Sequence, residues 1–193
     1  MFFRAALLTT LLHAVPVAAE PLQLAPADPQ PDAAALSPGL AVSYAYPGEV
    51  RTLEDAAAAL SKGRAGPPLR GLSYEDNNEG DLTLTSKKDQ KVAAQISGFI
   101  RFEVPGSYTL NVFSNDGITM ILGEQQVAFY DGVHACEPAG EQEVLVPQAG
   151  WYALEATYFQ RKGTACLIMD WVAGSSDDAD MVPVPDTAFS YSE

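Results

Sequence analysis

The polar run Ser114-Asn115-Asp116-Gly117 directly follows a segment with the alternating pattern of a β-strand. A carboxylate beside an amide offers hard oxygen ligands to a cation and hydrogen-bond acceptors to hydroxyl groups. Asn, Asp and Gly are also common turn residues, because Asn and Asp bond their own backbone and Gly tolerates positive φ. The run therefore has two interpretations, a ligand-binding loop or a turn selected for its backbone geometry.

Residues suited to catalysis are scarce. His134 is the only histidine after His13, and it stands two residues before Cys136. A Cys–His nucleophile needs a free thiol, whereas two cysteines in an exported chain predict one disulfide, Cys136–Cys166. A glycoside hydrolase needs two facing carboxylates, and no pair stands out among the 25 acidic residues. We therefore expect a protein that is not an enzyme, and glycoside hydrolysis is the third of three functional hypotheses.

A second acidic stretch, residues 75–81, reads EDNNEGD. Its side chains could supply oxygen ligands to calcium, but the stretch lacks the spacing and the final Glu of an EF-hand loop. The sequence therefore favours a solvated acidic turn over a calcium loop.

The segment that positions Asn115 and Asp116 is GFIRFEVPGSYTLNVFSNDG, residues 98–117. Apolar and polar residues alternate on both sides of Pro105-Gly106, which predicts a hairpin with one dry face and one wet face. Further short strands are predicted over the ranges 40–46, 69–74, 82–85, 92–104, 118–122, 126–130, 144–146, 151–158 and 164–172, with one short helix from Thr52 to Lys62. This succession predicts an all-β fold, an antiparallel β-sandwich with one short helix.

The chain ends and the charge indicate the compartment and the class of partner. Residues 1–19 are predicted to be a signal peptide, 20–37 a Pro/Ala-rich linker and 38–190 the β-sandwich domain. We therefore expect a secreted or periplasmic protein with no membrane insertion. The net charge of −14 argues against nucleic acid as a partner and is compatible with neutral glycans, cations or basic proteins.

The pattern GxIxxxxxGxYxLxxxSxDG in residues 98–117 resembles the PA14 family, the carbohydrate-binding domain first named in the anthrax protective antigen. Other pieces of the family pattern follow in the same order over roughly residues 38–190: Gly39-Leu40, Ser43-Tyr44-Ala45-Tyr46, Ile121-Leu122-Gly123, Gly150-Trp151-Tyr152, Ala156-Thr157-Tyr158, Leu167-Ile168-Met169-Asp170-Trp171, Val182-Pro183 and Phe189. The resemblance implies a β-sandwich that binds sugar.

In calcium-dependent members, the resemblance implies two consecutive aspartates joined by a cis peptide and an asparagine from a later loop. Asp116 stands at the second aspartate, Asn115 at the first and Gln160 at the asparagine. These three residues are the predicted calcium ligands. The lost carboxylate, and the positive charges of Arg161 and Lys162 nearby, count against calcium.

Metal-free glycan binding is the other hypothesis for these loops. Asp116, Gln160 and Arg161 would form hydrogen bonds with sugar hydroxyls, and Tyr158 or Tyr130 would offer a stacking face. Trp151 and Trp171 lie in strands and are predicted to belong to the core.

The sequence thus predicts an exported, non-catalytic carbohydrate-binding module that recognises an envelope or extracellular glycan. Calcium is the one cofactor considered. The alternative is a structural or protein-interaction module of the cell envelope.

Overall fold

Alternating apolar side chains build two β-sheets that enclose a common core. A computed structural model describes residues 20–174 and 180–192; the predicted signal peptide, residues 1–19, lies outside the described residues. The strands are β1 (Leu22–Gln23), β2 (Leu36–Pro38), β3 (Ala41–Ala45), β4 (Arg64–Ala65), β5 (Ser73–Tyr74), β6 (Val92–Phe102), β7 (Gly106–Asn115), β8 (Ile118–Leu122), β9 (Gln125–Tyr130), β10 (Glu137–Val146), β11 (Gly150–Gln160), β12 (Cys166–Ala173), β13 (Val182–Pro183) and β14 (Phe189–Ser192). The predicted antiparallel β-sandwich is confirmed.

One sheet has the strand order β1-β10-β7-β12-β13, with β5 also paired to β12. The other has the order β2-β14-β6-β11-β8-β9, with β3 paired to β6 and β4 to β3. All pairs are antiparallel except β1 with β10. Residues Asp116 and Gln160 follow or end strands of different sheets, so the site described below lies where the two sheets meet.

The predicted hairpin at residues 98–117 is wrong, because its two strands belong to different sheets. β6 pairs with β11, β14 and β3, whereas β7 pairs with β10 and β12. Both strands turn their apolar faces to the core, where the rings of Phe102 and Tyr108 meet edge to face at 5.0 Å. Alternation shows which side chains are buried, but it does not distinguish pairing within a sheet from stacking across the core.

Helix α1 (Leu53–Leu60) is the only α-helix in residues 20–174 and 180–192. Thr52 caps it: its side chain accepts from the N–H of Asp55, and the Asp55 carboxylate accepts from the N–H of Thr52. The helix packs through Ala56 onto a small apolar cluster that includes Phe159 of β11. In this part of the chain, no helix is long and apolar enough to span a membrane.

Two further segments differ from expectation. Residues 20–37 were predicted to be a flexible arm, yet β1 pairs with β10, and Leu24 is fully buried in the core. Gln30 also bonds the backbone of Trp151 through both ends of its amide. Residues 82–85 form turns rather than a strand, since Thr83 and Ser86 bond locally to one another and to Lys88. A largely polar segment such as residues 20–37 can therefore be held on the domain by a few buried apolar residues together with backbone hydrogen bonds.

Candidate functional site

The site forms where β7 ends, at a cis peptide bond between Asn115 and Asp116. The hydroxyl of Tyr158 donates a 2.5 Å hydrogen bond to the carbonyl oxygen of Asn115, and the N–H of Asp116 donates to the carbonyl of Phe159 at 3.0 Å. The loop that ends β7 is therefore attached directly to β11 of the opposite sheet. The cis peptide is the geometry implied by the family resemblance for this pair of residues.

The carboxylate of Asp116 is only 2% exposed, and both of its oxygens accept backbone hydrogen bonds. Oδ1 accepts from the N–H of His134 at 3.1 Å, and Oδ2 accepts from the N–H of Arg161 at 2.6 Å. Burial raises the pKa of this carboxyl group above its usual range, although the two backbone donors oppose the shift. The side chain thus holds three segments together at one point.

His134 also contacts the backbone of Asp116 through its ring. Its Nε2 lies 2.8 Å from the carbonyl oxygen of Asp116 and 3.2 Å from Oγ of Ser114. Since a carbonyl oxygen only accepts, we assign the ring proton to Nε2. The imidazole also stacks on the ring of Tyr130 at 3.8 Å between centroids. No binding role is predicted for His134 from sequence, but in the structure its contacts with Asp116 and Ser114 position this loop.

Gln160 and Asn115 meet at Thr164. Nε2 of Gln160 donates to the carbonyl of Thr164 at 3.1 Å, and Nδ2 of Asn115 donates to the Thr164 hydroxyl at 3.0 Å. Gln160 is fully buried, and its Oε1 has no hydrogen-bond partner among the described residues. A buried carbonyl oxygen without a donor carries a free-energy cost, so this atom is suited to a ligand that brings positive charge or a proton.

The backbone N–H of Arg161 belongs to the site, whereas its guanidinium group forms an ion pair with Glu49 outside it. The guanidinium Nε lies 2.6 Å from Oε1 of Glu49, whose carboxylate also pairs with Arg51 at 3.1 Å and Lys91 at 3.7 Å. The hydrogen bond from Arg161 lowers the pKa of the Glu49 carboxyl. The predicted repulsion between Arg161 and a bound cation is therefore reduced by this ion pair.

The structure brings Asn115, Asp116, Gln160 and Arg161 together but removes Tyr158 from the predicted binding surface. Tyr158 is fully buried, and burial raises the pKa of its hydroxyl well above the ordinary value. Inward alternation along β11 places its ring in the core, so it cannot stack on a sugar. Tyr130 is 36% exposed, so its ring is accessible for stacking on a sugar. Trp151 is 8% exposed and belongs to the core, as predicted.

The predicted disulfide Cys136–Cys166 is confirmed, with 5.9 Å between the Cα atoms. It joins the starts of β10 and β12, which pair with β7 on either side. The bond therefore lies beside the end of β7. Asp76 lies within 4.8 Å of both sulfur atoms, but bonded cysteines supply no thiolate ligand to a metal. The predicted Cys136–Cys166 bond could have indicated that His134 lies at the site. The bond places the residues before Cys136 beside the loop that precedes Cys166.

The acidic run at residues 75–81 is a largely exposed turn. Asn78 donates from its backbone and side chain to Asp81, and the side-chain oxygen of Asn77 accepts from the N–H of Ala165 at 2.7 Å. These contacts match the predicted solvated turn.

Comparison with known proteins agrees with this architecture. The sequence model described as the PA14 domain matches residues 73–183. The PA14 domain of the MpAFP Antifreeze protein is similar in fold, with 15% identity, 87% of this chain and 97% of that chain covered, and a TM-score of 0.68. The PA14 sugar-binding domain from an RTX adhesin is also similar in fold, with 17% identity, 80% of this chain and 98% of that chain covered, and a TM-score of 0.63.

A third neighbour is the Epithelial Adhesin 9 A domain from Candida glabrata, solved in complex with Galb1-4GlcNAc. Its identity is 11%, with 90% of this chain and 97% of that chain covered, and its TM-score is 0.64. No curated protein matches the chain in sequence. Because the PA14 match spans more than half of the 193 residues, the chain belongs to the PA14 domain family.

Proposed function

We propose that this PA14 domain is an exported, non-catalytic module that binds an envelope or extracellular glycan at the site around Asp116. Two fold neighbours support a sugar ligand, one described as a sugar-binding domain and the other solved with Galb1-4GlcNAc. The disulfide is compatible with an oxidising compartment outside the cytosol. The predicted signal peptide at residues 1–19 supports the same compartment.

The observation that carries the proposal is the buried Oε1 of Gln160, which has no hydrogen-bond partner among the described residues. Gln160 directly precedes Arg161, whose backbone N–H donates to the carboxylate of Asp116. These oxygens lie too deep for extensive direct contact with a sugar ring, since Asp116 is 2% exposed and Gln160 is fully buried. A cation held by buried oxygen donors of this kind would transmit the interaction to hydroxyl groups outside. The geometry therefore supports calcium-assisted binding better than metal-free binding.

The residues present fit calcium by donor type, because carboxylate and amide oxygens are its usual ligands. Asp116, Asn115 and Gln160 would hold the ion. Bound calcium would offer open coordination positions to vicinal sugar hydroxyls. Each oxygen of Asp116 already accepts one N–H, which orients the carboxylate and leaves a further lone pair on each atom.

The alternative, a protein-interaction module, has one observation in its favour. Phe129 and Val133 are 54% and 44% exposed, and they flank Tyr130 and the loop that carries His134. Exposed apolar side chains close to a site are typical of protein contacts as well as of sugar contacts.

A glycan array tests the proposal and separates it from this alternative. The native protein should bind at least one glycan, and chelator should remove the signal. Asp116→Ala should bind none, while Glu103→Gln, which changes an exposed acid with 71% side-chain exposure, should bind as the native protein does. Circular dichroism must show that each variant is folded. An array without signal, with and without calcium, would favour the protein-interaction module.

Calorimetry with calcium tests the metal separately. Asn115→Asp adds a carboxylate, and its oxygen can accept from the Thr164 hydroxyl in place of the present amide contact. We expect this variant to bind calcium about tenfold or more tightly than the native protein, because one more ligand carries charge. Absence of heat in both proteins would exclude calcium and leave metal-free binding.

A further inference from the structure

A second concave site lies at the C-terminal end of helix α1, away from the Thr52 cap. The cleft has a volume of about 490 Å³ and is bounded by the last turn of α1, the strands β3 and β4, and the turn at residues 85–87. It shares no lining residue with the site around Asp116. Its size falls within the range of roughly 300–1,000 Å³ that small-molecule sites occupy.

The walls of this cleft are mainly apolar. Ala58 and Ala59 of the helix face Pro47 and Pro67, and Tyr46 is 37% exposed beside them. Tyr44 is only 3% exposed and supports the base of the cleft; its hydroxyl lies 2.8 Å from Oγ1 of Thr85 and accepts from the N–H of Thr85. The exposed ring of Tyr46 and the two proline rings offer apolar surface to the C–H groups of a sugar ring.

Three basic residues, Lys62, Arg64 and Lys87, line the same cleft. All three are exposed, and none forms an ion pair within residues 20–174 and 180–192. Among the described residues, no acidic side chain lines the cleft. In a chain with 25 acidic and 11 basic residues, three unpaired cations at one concave surface create a local positive field of a sign opposite to the net charge.

The helix end adds little opposing charge to this surface. The carbonyl of Ala58 accepts from the Ser61 hydroxyl, and the carbonyls of Ala59 and Leu60 accept from the N–H groups of Lys62 and Gly63. The negative end of the helix is thereby largely satisfied. The cations remain available to an external anion.

We propose that this cleft binds a uronic-acid-containing mono- or disaccharide, with the sugar carboxylate held by Arg64, Lys62 and Lys87. Arg and Lys form charge-assisted hydrogen bonds with carboxylates, and Tyr46 and the two prolines would contact the sugar ring. An acidic peptide fits less well, because the main-chain groups it would need are in use. The N–H of Gly66 donates to the carbonyl of Val42, and that of Lys87 donates to the hydroxyl of Tyr46.

The test is an NMR titration of the native protein with digalacturonate and with a glucuronate–N-acetylglucosamine disaccharide. Amide signals of Ala65, Gly66 and Lys87 should shift, and added salt should weaken binding. Lactose, as the neutral probe, should leave these signals unchanged. The double variant Arg64→Gln/Lys87→Gln should weaken uronate binding by about tenfold or more. The control Arg70→Gln removes an exposed charge outside the cleft and should change affinity by less than about twofold.

Several results would overturn the proposal: no shift with either uronate, equal affinity for lactose, or unchanged affinity in the double variant. Hexaglutamate binding more tightly than both saccharides would assign the cleft to an acidic peptide instead. Asp116→Ala should retain uronate binding, so this site and the site around Asp116 can fail independently.

Discussion

Oδ2 of Asp116 accepts a 2.6 Å hydrogen bond from the backbone N–H of Arg161. This contact joins the loop after β7 to the loop after β11, and Oδ1 of the same carboxylate adds the loop of His134. Three segments that are distant in sequence therefore depend on a single side chain. The residue most suited to hold a ligand is also the one that holds the site together.

Asp116→Asn should lower the free energy of unfolding by about 1–3 kcal/mol, because an amide cannot accept from both backbone N–H groups and leaves one unsatisfied. Urea denaturation measures this change. The control Glu103→Gln removes only an exposed ion pair and should cost less than about 1 kcal/mol. Equal stability of the native protein and Asp116→Asn would show that the carboxylate does not hold the loops.

Gly117→Ala should lower the free energy of unfolding by about 1–3 kcal/mol through overpacking. A Cβ at this position would lie 2.3 Å from Cε1 of Phe159 and 3.0 Å from the carbonyl oxygen of Tyr130. At Gly48, by contrast, nothing lies within 4 Å, so Gly48→Ala is the matched control and should be neutral or slightly stabilising. Thermal melting that ranks the two variants equally would contradict this account.

The positive φ expected at Gly117 is wrong. Gly117 is not among the glycines with positive φ, and the structure requires glycine there because the ring of Phe159 approaches closely. The motif marked the loop at Asn115 and Asp116, and the family pattern aligned Gln160 with that loop. Local pattern could not show the contact with Phe159, which lies 42 positions away and depends on how the sheets stack.

The same distinction applies to the rest of the fold. Alternation predicted most strands and the buried faces, since burial depends on local periodicity. It did not predict that β6 and β7 lie in different sheets, or that β1 pairs with β10. Tyr158 illustrates the point within the site: alternation along β11 places its ring on the same face as Tyr152 and Leu154, and the stacking of the second sheet on that face buries it.

Replacing both cysteines by serine should lower the free energy of unfolding by about 3–4 kcal/mol, because the unfolded chain regains the entropy of a loop of about thirty residues. Urea denaturation of Cys136→Ser/Cys166→Ser, compared with the reduced native protein, measures the effect. The two samples should agree. Loss of the bond should also weaken hydrogen-exchange protection of the His134 amide, since the disulfide lies two residues away. Unchanged stability would contradict the proposed constraint.

Burial raises the pKa of Tyr44 to about 12, against an ordinary value of 10.0. The folded protein therefore holds this proton more tightly than the unfolded chain does. The associated stabilisation is complete below about pH 10 and is lost as pH rises through the folded pKa. The free energy of unfolding should decline over this interval. In Tyr44→Phe the decline should be shallower, although the lost contact with Thr85 lowers stability at neutral pH. An identical slope in both proteins would contradict this assignment.

NMR titration with the glycan that gives the strongest array signal shows whether that glycan binds beside Asp116. The amides of His134 and Arg161, which donate to the Asp116 carboxylate, are the reporters. Titration in calcium should shift both signals, and chelator should reverse the shifts. Glycan binding that leaves both amides unchanged, or shifts confined to other surfaces, would contradict it.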